Sequence, residues 1–296
     1  MKADSDFFSY RRLSAAPSNK IFIFKSLGPE ENDTAEHIHE HIVISVNIER
    51  RKSGEPDVVP VSVTLKSKQH LIRLLKDIQG ECKNGVVPII HLETHGSELG
   101  LGIILESSKH ELITWVDLID LFRGINVACQ GYLTIVLAAC HSFRIENLIL
   151  KQQRKSPFFA LIGYEEKICS KDIILDLATL YDLLLLKNTL PYDENASFES
   201  FTLYTEYDLA LSLISILLIN RTDPASVVKK IPTFEKFLEG PPLAPDQSED
   251  QLRELYEKVL KSEKVLLSLA ELMQNQNNVV MLKQDIHRHF QTHFKD

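Results

Sequence analysis

A chain of 296 residues and 33.8 kDa has room for one large domain, or for a catalytic-sized domain with an appendage. Hydrophobic residues make up 44% and charged residues 25%, with only 11 Gly and 12 Pro, which excludes a disordered, collagenous or low-complexity chain. Asp and Glu (41) outnumber Lys and Arg (33) for a formal charge of -8, so the basic excess that phosphate backbones demand is missing and no nucleic-acid partner is expected.

In chain order, Lys20 to Lys25 (KIFIFK) alternates and predicts a strand, and Ile42 to Ile48 and Val58 to Leu65 read as two further extended segments around the turn-prone Ser53-Gly54-Glu55-Pro56. From Ser67 to Gly80, Leu71, Ile72, Leu74, Leu75 and Ile78 recur at helical spacing, with Ser67 placed to cap and Gly80 to stop. Val86 to Leu92 (VVPIIHL) is apolar throughout, as a strand buried on both faces would be, with Pro88 leaving a gap in one ladder. Thr114 and Asp117 form a capping-box pattern opening a helix over Trp115 to Phe122. Leu133 to Ala139 (LTIVLAA) is a second apolar strand and Phe158 to Ile162 (FFALI) a third, with helices over Phe143 to Leu150 and from about Lys171 to Leu186. Apolar strands alternating with helices predict an α/β fold: a three-layer sandwich around a mostly parallel sheet.

Past Pro191 the pattern changes. Phe198 to Ile219 reads as an apolar helix, Gly240 to Pro245 (GPPLAP) breaks the chain, and from Ser248 a stripe of Leu252, Leu255, Val259, Leu266, Leu269 and Met273 predicts an amphipathic helix that packs on its own domain or on a partner. The expected organisation is a tail over 1–19, the α/β domain over 20–240, a linker over 241–247 and a C-terminal helical appendage over 248–296, which is expected to regulate or to dock an activating protein partner rather than to complete a site. The opening MKADSDFFSYRR lacks a signal-peptide core, and the longest apolar run, Leu209 to Ile219, is too short to span a bilayer. No C-x-x-C pair occurs among Cys82, Cys129, Cys140 and Cys169, so a cytoplasmic chain with reduced thiols is expected, with no membrane span. No nucleotide, flavin or metal motif is present, and no cofactor is expected.

Two reactive residues share one context. His95 follows the strand ending at Leu92, and Cys140 follows the strand ending at Ala139. Open α/β folds bind ligands at such carboxyl edges, and neighbouring strands about 4.8 Å apart would let an imidazole and a thiol address one carbonyl. Thiol nucleophiles need that partner, because a thiol with a reference pKa of about 8.5 is mostly protonated at neutral pH. Gly96, lacking a Cβ, lets its N–H approach a substrate oxygen, where with the Cys140 N–H it would form an oxyanion hole.

His37, His39 and His41 alternate in AEHIHEHIV, which on a strand gathers three imidazoles on one face, either as metal ligands or, preferably, as surface residues. His287, His289 and His293 read as a solvated helix end, and Cys129 and Cys169 as core or surface thiols. Glu93 and the Glu165–Glu166 pair flank the active edge, where one would contact His95 or a basic P1 residue, or sit in a solvated loop.

Thr94-His95-Gly96 after VVPIIHL, then Leu137-Ala138-Ala139-Cys140 about 45 residues on, resembles the caspase-like (clan CD) cysteine peptidases, whose His lies about 50 residues before the Cys. HLETHG, ITWVDLIDLFRGIN and LTIVLAACHS more closely resemble the bacterial CHAT-domain group, most strongly over Val86 to Ser142 and more weakly over Lys20 to Leu186. The resemblance implies a caspase-like fold, His95 as catalytic histidine, Cys140 as nucleophile, Gly96 as oxyanion contributor, a protein substrate, and a role in antiviral defence or programmed cell death. Ala138 stands where caspases carry Gln, and His141-Ser142 follow the Cys in place of Arg-Gly, which sets aspartate specificity aside. An interaction scaffold with an unused site is the alternative.

Overall fold

The computed structural model describes residues 14–106, 110–152, 155–190, 201–206, 208–209 and 273–274, with single positions at 280 and 284. Two compact units divide the chain: residues 10–148 with 157–205, and residues 1–9 with 149–156 and 206–296. In the second, the Gln274 N–H donates to Glu206. The Pro-rich break at 241–247, the amphipathic stripe from Ser248 up to Leu269, and His287, His289 and His293 lie outside the described residues.

The first unit is an α/β sandwich in which helices flank a mostly parallel, mixed sheet. In chain order it comprises β1 (Lys20–Ser26), α1 (Thr34–Glu40), a π-helical segment (His41–Val46), α2 (Asn47–Lys52), β2 (Val59–Thr64), α3 (Lys68–Cys82), β3 (Pro88–Gly96), β4 (Gly102–Leu105), β5 (Glu111–Thr114), α4 (Trp115–Ala128) and β6 (Thr134–Ala138). A 3-10 turn (Ser142–Arg144), the start of α5 (Ile145–Gln152, whose residues from 149 on belong to the second unit), β7 (Ala160–Gly163), α6 (Ser170–Leu185) and β8 (Thr202–Thr205) follow. The strand order is β2-β1-β3-β6-β7-β8; all neighbours are parallel except β8, and β4 and β5 form an antiparallel arm on the end of β3.

Both faces of the sheet are covered, and that is why its strands read as unbroken apolar runs. Ile21, Ile23, Ile89, Val136 and Ala138 share one core with Ile38, Ile42 and Val46 from the α1–π segment and with Leu177, Leu180 and Tyr181 of α6. Alternation along each strand turns Phe22, Phe24, Ile90, Leu92 and Leu137 to the other face. On that side α3 and α4 pack against each other, burying Leu71, Leu75, Ile78, Phe122 and Ile125. From β1 the chain steps outward to β2 and then returns to the far side of β1 as β3, so the order reverses between β1 and β3. Such a reversal opens a crevice at the carboxyl ends of the two strands.

The structure corrects several expectations. Ile42 to Ile48 is not a strand: it continues α1 through the π-helical segment into α2, burying Ile38, Ile42 and Val46 at four-residue intervals. The histidines of AEHIHEHIV therefore do not share a strand face; the His41 Nε2 lies 2.9 Å from Asp182 Oδ1, and His39 Nδ1 lies 3.9 Å from Glu36. Gly80 does not end α3, which runs to Cys82 and stops before Gly85, whose φ of 91° suits a residue without a side chain. Within the segment read as helical from Phe198, residues Thr202 to Thr205 form β8, pairing with β7; the rest up to Ile219 is, apart from 201, 206 and 208–209, outside the described residues. Pro88 opens β3, where it pairs with Lys20.

The capping box at α4 is complete. The Asp117 N–H donates to Thr114 Oγ1 at 3.3 Å, and the Thr114 N–H returns a bond to Asp117 Oδ2 at 3.1 Å. Lys68 Nζ, 2.7 Å from the same carboxylate, and Thr114 hold Asp117 below its ordinary pKa. A depressed carboxyl contributes stability above its unfolded value of about 4, and that contribution disappears as pH falls through the folded value. Thr114→Ala should cost about 1 kcal/mol in urea denaturation at pH 7. Asp117→Asn should also destabilise at pH 7, and its deficit should shrink on acidification; a pH-independent deficit would contradict the assigned interaction.

Candidate functional site

β3 and β6 run side by side in parallel, in register from Ile89 opposite Thr134 to Glu93 opposite Ala138. Beyond that point β3 continues through His95 and Gly96 into its pairing with β4, whereas β6 stops and the chain turns at Ala139, Cys140 and His141. The turn requires a left-handed residue, and His141 supplies it with a φ of 56°. Ser142, wholly buried, fastens the turn: its Oγ–H donates to the Leu137 carbonyl at 3.0 Å and the Oγ accepts from the Tyr164 N–H at 2.9 Å. His141 is held from the far side, its N–H donating to the Glu166 carbonyl at 3.3 Å and its Nδ1–H to the Glu165 carbonyl at 3.0 Å.

Gly96 lies directly against this turn. A Cβ there would stand 1.7 Å from the Cys140 carbonyl oxygen and 2.6 Å from its carbonyl carbon, both backbone atoms that cannot swing away. Glycine is thus a steric requirement of the approach of β3 to Cys140, whatever its N–H does.

His95, Gly96's neighbour, and Cys140 line a cavity of about 360 Å³. Its walls come from the segment after β1 (Leu27, Glu30, Glu31, Asn32), from the start of α1 (Thr34), from Glu93 and Thr94 on β3, from Ala138 and Ala139, and from Ile168 and Ile173. A second and broader depression of about 750 Å³, lined by His141, Arg144, Glu165 and Lys167 among others, contains neither His95 nor Cys140. The smaller cavity is therefore the one that brings His95 and Cys140 together.

The His95 ring is oriented by carboxylates. Its Nε2 lies 3.0 and 3.1 Å from the two oxygens of Glu31 and 3.6 Å from Glu106, which itself lies 3.3 Å from His110 Nδ1. Glu31 is steadied in turn by accepting from the Gly28 N–H. A carboxylate facing Nε2 demands a proton there, so in the neutral imidazole Nδ1 carries the lone pair. Among the described residues no hydrogen bond joins Cys140 Sγ to His95, and the Cys140 N–H donates to no group. Cys140 is half-buried, Cys82 and Cys129 are buried, and Cys169 is exposed. A hydrogen bond with Cys129, reinforced by burial, pushes the Cys82 thiol up, leaving it protonated and unreactive.

Below the cavity β3 carries two polar residues into the core shared with α6. His91 is fully buried, with Nδ1 2.8 Å from Tyr181 Oη; Glu93 is 2% exposed, with Oε2 3.5 Å from His91 Nε2. That approach does not make a hydrogen bond, and Glu93 Oε2 has no hydrogen-bond partner among the described residues. Burial, then the negative charge of Glu93, then Tyr164 push the Tyr181 hydroxyl well above its ordinary pKa. Glu93 is thus a buried residue of the cavity, not part of a solvated loop. Glu165 and Glu166 meet His141 through their carbonyls rather than His95, and Glu165 Oε1 accepts from Thr202 Oγ1 at 3.0 Å.

Sequence reasoning did not single out Glu31, Glu106 or Ser142. The carboxyl-edge rule already applied to β3 and β6 would have reached Glu31, which lies in the segment directly after β1. Among the described residues no three His, Cys, Asp or Glu side chains are grouped to hold a metal ion, and no helix is long and apolar enough to cross a membrane. No protein-family model and no curated protein matches the chain.

Adding a methyl group at two glycines separates their roles. Gly96→Ala should cost about 1–3 kcal/mol by overpacking, whereas Gly80→Ala, on α3 with nothing within 4 Å of the new Cβ, should stabilise by about 0.5–1 kcal/mol. Urea midpoints check both, and an unaffected midpoint in the first variant would rule out the close approach.

Proposed function

We propose that the chain is a cysteine endopeptidase that cleaves a protein partner through a thioester acyl-enzyme. The observation that carries this reading is that Cys140 and His95, from the ends of adjacent parallel strands, line one cavity at the switch point of the sheet. The resemblance of HLETHG and LTIVLAACHS to the CHAT-type, caspase-like peptidases supports it.

The chemistry follows from the residues. His95 Nδ1 takes the Cys140 proton as the sulfur attacks the scissile carbonyl, whose oxygen receives the unengaged Cys140 N–H and the N–H of Gly96. Collapse of the tetrahedral adduct expels the amine, which leaves with the proton held by His95. Water, deprotonated by His95, then hydrolyses the thioester and restores the thiol. Glu31 holds the imidazole in the required tautomer and orientation. The substrate is a protein in the cytoplasm, within bacterial defence or cell death, and an activating partner draws the imidazole and sulfur into contact, since catalytic contacts tighten on binding.

The test uses the Cys169→Ser background, to remove the exposed thiol. A peptidyl acyloxymethyl ketone should label Cys140, as read by mass spectrometry. Cys140→Ala should abolish cleavage of a proteome-derived peptide library, and His95→Ala should lower the rate by about 10²–10⁴. Retention of near-normal proteolysis in either variant would overturn the dyad, and an unlabelled Cys140 would favour the interaction scaffold. Glu31→Gln should lower kcat while leaving KM within a small factor, because it orients the imidazole without touching substrate.

A further inference from the structure

We propose that Glu93 is the specificity residue of this cavity, receiving the basic side chain of a lysine or arginine on the acyl side of the cleaved bond. The inference rests on Cys140 as the nucleophile and adds the substrate class. Glu93 lies in register with Ala138, two residues before Cys140, and both residues line the Cys140 cavity. Ala138, the residue of β6 opposite Glu93, contributes only a methyl group to that lining.

A carboxylate buried to 2% exposure with an oxygen lacking any hydrogen-bond partner is costly to maintain. His91 is the nearest cation-capable group, but at 3.5 Å and without hydrogen-bond geometry it leaves that demand unmet, and its other nitrogen is committed to Tyr181. A guanidinium or ammonium entering from the cavity supplies the missing donors; a guanidinium can do so with two at once. The remaining walls agree: Glu30 adds a second carboxylate, and among the described residues no Lys or Arg lines the cavity. An acidic side chain would meet the carboxylates of Glu93 and Glu30 there, and an apolar one would leave Glu93 buried and unanswered, the situation in which polar sites discriminate most strongly.

Two measurements in the Cys169→Ser background test this. In the first, iodoacetamide alkylation of Cys140 is timed with n-butylguanidinium or its neutral isostere n-butylurea. The guanidinium should slow alkylation at least fivefold and the urea should not, and Glu93→Gln should erase the difference. In the second, peptides differing only in Arg, Lys, Gln, Leu or Asp at the cleavage position are compared. Arg and Lys should exceed Gln in kcat/KM by about 10²–10³-fold, and Glu93→Gln should collapse that ratio. Circular dichroism shows whether the variant is folded, and the wild-type comparisons stand without it. Cleavage after Leu or Asp without guanidinium protection would overturn the role of Glu93 and leave the peptidase reading intact. Protection without cleavage of any peptide would overturn the peptidase reading and retain the cation pocket. A Cys140 inert to iodoacetamide would overturn both.

Discussion

The site hangs on a contact that tolerates no side chain. β3 passes Cys140 so closely that a Cβ on Gly96 would lie 1.7 Å from a backbone oxygen, and this approach aligns the end of one strand with the turn that ends the next. Ser142 supplies the complementary restraint, since its hydroxyl ties the turn to the Leu137 carbonyl and to the Tyr164 N–H across to β7. Reactive side chains are held best when the backbone beneath them has one arrangement. Here the absence of one methyl group and the presence of one buried hydroxyl achieve that together.

Among the described residues, the buried His and Glu side chains of the sheet strands both lie on β3. His91, Glu93 and His95 lie at alternate positions and so on one face, running from the fully buried core out to a ring that is 40% exposed. Replacing His91 and Glu93 with aliphatic residues of similar volume would be neutral or stabilising on general grounds. Packing alone therefore does not account for their presence in the core.

Much of this was legible in the chain itself. The strands β1, β3, β6 and β7 announce themselves because burial on both faces forces continuous Ile, Leu, Val and Phe, and the Thr114–Asp117 box marks its helix because capping needs those side chains at that spacing. The α1–π–α2 segment reads as extended in sequence because IVISVNI is rich in β-branched residues, a composition that favours strands. The period linking Ile38, Ile42 and Val46 was the better guide, and packing against α6 decided the outcome over propensity. The β4–β5 arm was invisible because each strand has only four residues and Gly102 and the polar edge of Glu111 blur the alternation. Of the site, His95, Gly96 and Cys140 stand out by their place after strands, and Glu31 shares that place after β1, but its pairing with His95 is not legible because it spans 64 residues and exists only once β1 and β3 pair.

The cavity draws its walls from residues as distant as Leu27 and Ile173. It is assembled from the segment after β1, the ends of β3 and β6, and the beginning of α6, and none of these alone encloses it. During synthesis the thiol of Cys140 emerges before Ile168 and Ile173, so a ribosome-bound chain paused at that point carries the thiol without the full set of residues that wall its cavity.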